Sequence, residues 1–190
     1  MTPWLLTLVL AAAPGAPPPE DPDARARVLV LTDISNEPDD EESLVRFLVY
    51  SNEYDVEGLV ATTSTHLRER TRLDLIRRQV EAYAKVRPNL LVHAPGFPSV
   101  ERLLAVAKSG QPGYGMAAVG EGRTTDGSRL ILEAADRPDE RPLWVSVWGG
   151  ANTLAQALWD ARRTRSAEEL RGLVRRLRVY AISDQDDAGA

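Results

Sequence analysis

The chain has 190 residues, 43% hydrophobic and 27% charged, with a formal net charge of −5. That composition fits a globular domain with a sizeable core, and the acidic balance argues against a nucleic-acid partner held through its phosphates. The absence of cysteine excludes thiolate metal ligands, thiol nucleophiles and disulfides.

Residues 1–16 read as a secretory signal. Trp4 to Ala13 is an apolar run too short to span a bilayer, and Ala11, Ala13 and Ala16 supply the small residues a signal peptidase needs. No Lys or Arg precedes the run, so the α-amino group is its sole positive charge. Residues 17–26 form a Pro-rich acidic linker, and residues 27–190 the domain. The expected location is secreted or periplasmic, and nothing later resembles a membrane span.

From Arg27 onward apolar runs alternate with amphipathic ones. Val28–Leu31 predicts a buried strand and Asp40–Tyr50 a helix, with Leu44, Phe47 and Leu48 on one face. Val56–Thr62 predicts a second strand. Arg72–Val86 predicts a helix, with Leu73, Ile76, Val80 and Tyr83 at helical spacing. Leu90–His93 predicts a short strand between Pro88 and Pro95. Helices follow over 100–108 and 128–136, separated by the glycine-rich "KSGQPGYGMAAVGEGRTTDG". Leu143–Trp148 predicts a strand, Asn152–Arg163 and Ala167–Leu177 two helices, and Val179–Ser183 a last strand.

This alternation implies an α/β domain, an open, mainly parallel sheet with helices on both faces in a Rossmann-like arrangement. Such sheets bind ligands at the carboxyl ends of their strands. Four polar clusters fall at such ends: Asp33–Asp40, Thr62–His66, Gly149–Thr153 and Asp184–Asp187. The sequence stops directly after a strand with no helix to cover it, so the domain is expected to be incomplete at its carboxyl end.

The first cluster places six acidic residues in the ten positions Asp33 to Glu42. Two readings are open. Asp39 and Asp40 at a helix start are favoured by the helix dipole and its free N–H groups. Asp33, at a strand end, is not explained that way. Asp33 and Asp40 could supply two oxygen ligands to a hard cation such as Ca²⁺ from opposite sides of one turn.

Other candidates carry less. Gly113-Tyr114-Gly115-Met116-Ala117-Ala118 fits a dinucleotide string but lacks the strand immediately before it, so it reads as a flexible rim loop. Asp184 and Asp187 are either site residues or a solvated strand end. His66 is a candidate ligand contact, with a surface histidine as the plainer reading, and His93 is structural. Trp144 is a core residue. Trp148, beside Gly149-Gly150, is placed to stack on a sugar ring or to pack. The arginines from Arg68 to Arg78, balanced by Glu69 and Asp74, read as a solvated helix face. There is no nucleophile elbow of a Ser/His/Asp triad.

"LTDISNEPDDEESLVRFL" resembles the acidic turn after the first strand of the nucleoside hydrolase superfamily, although Ile34–Pro38 is two residues longer than that family's turn. "WGGANTLAQAL" is similar to the superfamily's Gly-Gly-Leu-Thr-Asn segment. In order along the chain, "SNEPDDEESLVRFLVYSNEYDVEGLVATTSTH", "KSGQPGYGMAAVG", "VSVWGGANTLAQALW" and "RVYAISDQDDAG" resemble a bacterial family of exported nucleoside hydrolase-like proteins often described as cellulose-binding. The resemblance implies that Asp33 is a Ca²⁺ ligand and the base for the attacking water, and Asp40 a second ligand. It implies that Asp39 accepts a hydrogen bond from a sugar hydroxyl. It also places Asn152 where a backbone carbonyl binds the metal, usually from a threonine. The expected activity is Ca²⁺-dependent hydrolysis of an N- or O-glycosidic bond in a nucleoside or glycan. The alternatives are a non-catalytic carbohydrate-binding protein with cellulose as partner, and an inactive truncated remnant. The superfamily's last metal-binding aspartate and later substrate segments have no counterpart in the sequence. His66, Trp148 and Asp187 complete the expected substrate contacts.

Overall fold

The computed structural model describes residues 24–35 and 37–182. Residues 1–16, expected to be a secretory signal, most of the expected linker, Asp184 and Asp187 lie outside the described residues. Five strands, β1 (Ala26–Thr32), β2 (Tyr54–Ala61), β3 (Ala107–Ser109), β4 (Leu143–Val147) and β5 (Leu177–Ala181), form one sheet in the order β3-β2-β1-β4-β5. Every neighbouring pair is parallel. Helix α1 (Pro38–Val49) joins β1 to β2, and α2 (Leu73–His93) and α3 (Val100–Ala105) join β2 to β3. Helix α4 (Asp126–Ala135) crosses from β3 to β4, and α5 (Asn152–Thr164) and α6 (Ala167–Arg176) join β4 to β5. Among the described residues no helix is long and apolar enough to cross a membrane.

Two cores follow from strand alternation. Val28 and Val30 of β1 face α1–α3, with Leu44, Leu48, Ile76, Val80 and Leu103. Leu29 and Leu31 face α4–α6, with Ile131, Leu154, Ala157 and Leu173. We call these the front and back faces. A bulge sets the phase of β2. Val28 pairs with Val56, but Leu29 pairs with Gly58, so Glu57 is an extra residue. The bulge lets Val56 and Leu59, three apart, share the front core, which strict alternation would forbid. Gly58 is needed there: a Cβ would lie 2.7 Å from the Leu29 side chain.

Two sequence expectations fail in one place. Leu90–His93 is not a strand but the last turn of α2, which runs through Pro88. The turn is held from outside: Arg87 donates to the carbonyls of Phe97 and Pro98 at 3.0 and 2.8 Å, and Tyr83 donates to Pro98 at 2.9 Å. Leu90 packs against the front core. The third strand is instead Ala107–Ser109, because the predicted helix over 100–108 stops at Ala105.

The amino end of the sheet is closed by charge. Arg27, 1% exposed, donates from Nε to Glu57 at 2.8 Å and from Nη2 to the carbonyl of Ala134 at 2.6 Å, in the last turn of α4. Glu57 also pairs with Arg137. Arg141 bridges Asp139 and Asp55 at 2.6 and 2.7 Å, and its hydrogen bonds hold the Asp139 carboxyl down to about 2. Removing one member of a buried pair leaves an uncompensated charge. Glu57→Ala is therefore expected to cost about 3–5 kcal/mol in urea unfolding. A loss below about 1 kcal/mol, the range of a surface pair, would contradict this account of the amino end.

Candidate functional site at the carboxyl rim

The strand order reverses at β1, with β2 on one side and β4 on the other. Crevices at such reversals are where doubly wound sheets bind ligands. Three strand ends meet there. Thr62 N–H donates to the Thr32 carbonyl at 2.7 Å, Trp148 N–H to the Leu31 carbonyl at 2.8 Å, and Gly150 N–H to the Thr63 carbonyl at 3.0 Å.

Asp33 is half-buried and accepts a hydrogen bond from the Ser64 hydroxyl. That hydroxyl itself accepts the N–H groups of His66 and Leu67 at 2.9 and 3.1 Å, so its one proton is committed to Asp33. Thr32 acts likewise on the other acid. Its hydroxyl accepts Ile34 N–H at 3.1 Å and donates to Asp40 Oδ2 at 2.5 Å. Asp40 is 8% exposed in the first turn of α1. Burial pushes its carboxyl up to about 7; the Thr32 hydrogen bond pulls it down, and the hydrogen bond and charge of Asp33 and the charge of Asp39 push it further up. Asp39 is exposed and accepts Asp40 N–H at 3.0 Å. The capping reading thus fits Asp39, whereas Asp40 turns inward against Asp33. The turn between them is strained, with Ser35 at φ +128°, where non-glycine residues are rare.

Gly149 permits this approach, since a Cβ there would lie 2.8 Å from Asp33. Asn152, 2% exposed, is the first residue of α5 and donates to Thr63 Oγ1 at 3.2 Å and the Gly113 carbonyl at 2.7 Å. No described hydrogen bond links it to Asp33 or Asp40. Its Oδ1 and the Thr62 hydroxyl are buried without a partner among the described residues. The glycine-rich segment is held rather than free. Gln111 donates to the carbonyls of Ala118 and Arg123 at 3.0 and 2.9 Å, and Gln156 both donates to and accepts from Gly120.

Beside the acidic turn lies a cavity of about 470 Å³ lined by Asp39, Asp40, Ser43, Arg46, Trp148 and a row of aromatic residues. Trp148 is half-buried, donates from Nε1 to Ser146 at 2.9 Å, and meets Phe47 edge-on. The structure thus groups Asp33 with Asp40, and Asp39 with Trp148. His66 is exposed, its N–H on Ser64, and His93 is exposed at the end of α2. Trp144 is only partly buried, on the front of β4. In the sequence Ser64 and Gly149 appear only as members of the rim clusters Thr62–His66 and Gly149–Thr153, and Thr32, Ser64 and Gly149 have no roles of their own there. Their signal was position alone, as small or polar residues just at or past a strand end.

An oxygen-only donor set suits a hard cation, and Ca²⁺ takes six to eight such ligands. Asp33 and Asp40 fit as two of them. Among the described residues no group of three or more His, Cys, Asp or Glu is assembled for a metal.

A 3-2-1-4-5 parallel sheet with paired carboxylates at its reversal defines a doubly wound α/β domain with a candidate ligand site at its carboxyl rim. Residues 27–190 match the family described as "Cellulose-binding Sde182, nucleoside hydrolase-like domain", and the chain belongs to that family. It is also similar to a solved structure, a nucleoside hydrolase-related hypothetical protein from Saccharophagus degradans that is associated with carbohydrate metabolism, at 46% identity and a TM-score of 0.85. The match covers 87% of this chain and 40% of that one. No curated protein matches the chain.

The Asp40 carboxyl makes a pH prediction. Its folded value of about 7 lies above the ordinary 3.8. It therefore favours the fold most below the lower value, and that contribution is lost as pH rises toward 7. With a chelator present, the stability of the wild type relative to Asp40→Asn should fall across that window by up to about 1.4 kcal/mol per pH unit. A difference that does not change with pH would refute the buried, proton-holding Asp40.

Proposed function

We propose that the carboxyl rim binds a sugar-containing ligand and that Asp33 and Asp40 hold Ca²⁺, with hydrolysis of a glycosidic bond in a nucleoside or glycan as the reaction. The observation that carries this reading is the contact between two carboxylates at the sheet's reversal, beside a cavity that holds an exposed acid and an indole. Bound there, a divalent cation would lower the pKa of its water. Asp33, oriented by Ser64, would take a proton from the attacking water. Asp39 would accept a sugar hydroxyl, and Trp148 would offer an apolar ring face to the sugar. Attack at an anomeric carbon with oxocarbenium character then follows by analogy with other glycosidic hydrolysis. The apolar run from Trp4 to Ala13 supports export, so the ligand would be met in the periplasm or outside the cell.

A second reading is non-catalytic carbohydrate binding. It is favoured by the family's description as cellulose-binding. Turnover of nucleosides and aryl glycosides separates the two. On the first reading Asp33→Ala lowers turnover about 10²–10⁴-fold, the range of a general base. Absence of wild-type turnover, with retention on cellulose that Trp148→Ala weakens, would establish the second. Absence of both turnover and retention would reject both readings.

A further inference from the structure

Arg68 stands on the same rim as Asp33, in the loop that follows β2. Ser64 donates to Asp33 and accepts the N–H groups of His66 and Leu67, and its own N–H donates to the Leu67 carbonyl at 3.1 Å. Residues 64–67 are therefore one tight turn with Asp33 at its mouth, and Arg68 leaves that turn. Its side chain folds back over it. Nε donates to the Thr65 carbonyl at 2.9 Å and Nη2 to Thr65 Oγ1 at 3.0 Å. The guanidinium also lies 4.9 Å from the centre of the Tyr114 ring. Tyr114 is in turn fixed by its backbone. Its N–H donates to the Arg68 carbonyl at 2.9 Å, and the Gly113 carbonyl before it accepts from Thr63 and Asn152 at 3.0 and 2.7 Å.

These contacts hold the guanidinium in place without neutralising it. Arg68 is exposed, and among the described residues no Asp or Glu lies within ion-pair distance of it. Thr65 occupies the edge formed by Nε and Nη2, which leaves the edge formed by Nη1 and Nη2 open. An arginine presents its donors as a rigid fork that meets a carboxylate or phosphate through two parallel hydrogen bonds. Holding that fork in place beforehand lowers the entropy lost when a ligand binds. The rim is thus divided by charge, with Asp33, Asp39 and Asp40 on the α1 side and Arg68 on the side of the β2 loop. A monoanion fits this division better than a phosphate dianion, whose extra charge would add to repulsion from Asp33 and Asp39.

We infer that Arg68 is a specificity-determining residue of the rim, binding the carboxylate of a uronic acid unit in a glycan whose hydroxyls meet the aspartate side. This names the substrate class of the site proposed above, and it rests on that site binding sugars. A uronic acid differs from its neutral sugar by one carboxylate in place of a primary alcohol. Arg68 would therefore select acidic glycans over neutral ones of the same linkage.

Cellotriose and the corresponding glucuronate trimer, in which each primary alcohol is a carboxylate, share linkage and length. Calorimetric titration of each into the full chain, at low ionic strength with Ca²⁺ present, reads the preference. The inference predicts that the wild type binds the glucuronate trimer about tenfold or more tightly than cellotriose, the scale of a hydrogen bond to a charged group. Arg68→Gln removes that preference and leaves cellotriose binding unchanged. Arg68→Lys, which keeps the charge without the fork, retains an intermediate preference. Equal affinity of the wild type for the two trimers overturns the inference and leaves the sugar-binding reading standing. Binding of neither trimer overturns both. A preference that Arg68→Gln leaves intact places the carboxylate on the cation or on another group and overturns the inference. So does an equal loss for both trimers in Arg68→Gln, which would make Arg68 a support of the Thr65 turn rather than a ligand contact.

Discussion

The arrangement of the site depends on the position of β1 between β2 and β4. The chain leaves β1 in one direction to build β2 and β3, then returns past it to build β4 and β5. The two connections diverge at the carboxyl end of β1, so no helix caps that point. Three loops fill the gap, and their contacts follow from having to share it. Gly149 lacks a side chain where Asp33 stands. Ser64 turns its own loop and spends its proton on Asp33. Asn152 starts α5 while holding Thr63 and Gly113 together.

The two ends of the sheet treat carboxylates in opposite ways. At the amino end Glu57, Asp55 and Asp139 each have an arginine. Asp139 is held down to about 2 by Arg141. At the carboxyl end no described Lys or Arg lies within ion-pair distance of Asp33, Asp39 or Asp40. Burial without a cation pushes Asp40 up to about 7. A fold selected for stability alone would pair or remove that acid. Its stabilisation here comes from the Thr32 hydroxyl rather than from an opposite charge.

Much of the architecture was legible because periodicity and burial agree. Leu44, Leu48, Ile76, Val80 and Tyr83 fall on the buried faces that their spacing implies. The runs within β1 and β2 are apolar because both sheet faces are covered there, whereas β4 alternates buried and half-buried residues. The failures have physical causes. Pro88 suggests a helix stop, yet contacts from Arg87 and Tyr83 to a later loop carry α2 past it. Ala107–Ser109 is too short to show a pattern. Asp33, Asp39 and Asp40 stood out because charge at a strand-to-helix junction is conspicuous. Ser64 and Gly149 did not, since their roles are set by contacts with residues 31 and 116 positions away.

The central claim is that Asp33 and Asp40 share one site for a proton or a cation. Calorimetric titration of Ca²⁺ into the purified chain near pH 6, in two buffers of different ionisation enthalpy, tests it directly. The account predicts saturable binding at one site with release of the Asp40 proton, seen as a buffer-dependent heat, and loss of both in Asp40→Asn. Absence of saturable binding by a chain that is folded, or binding that Asp40→Asn leaves unchanged, would contradict it.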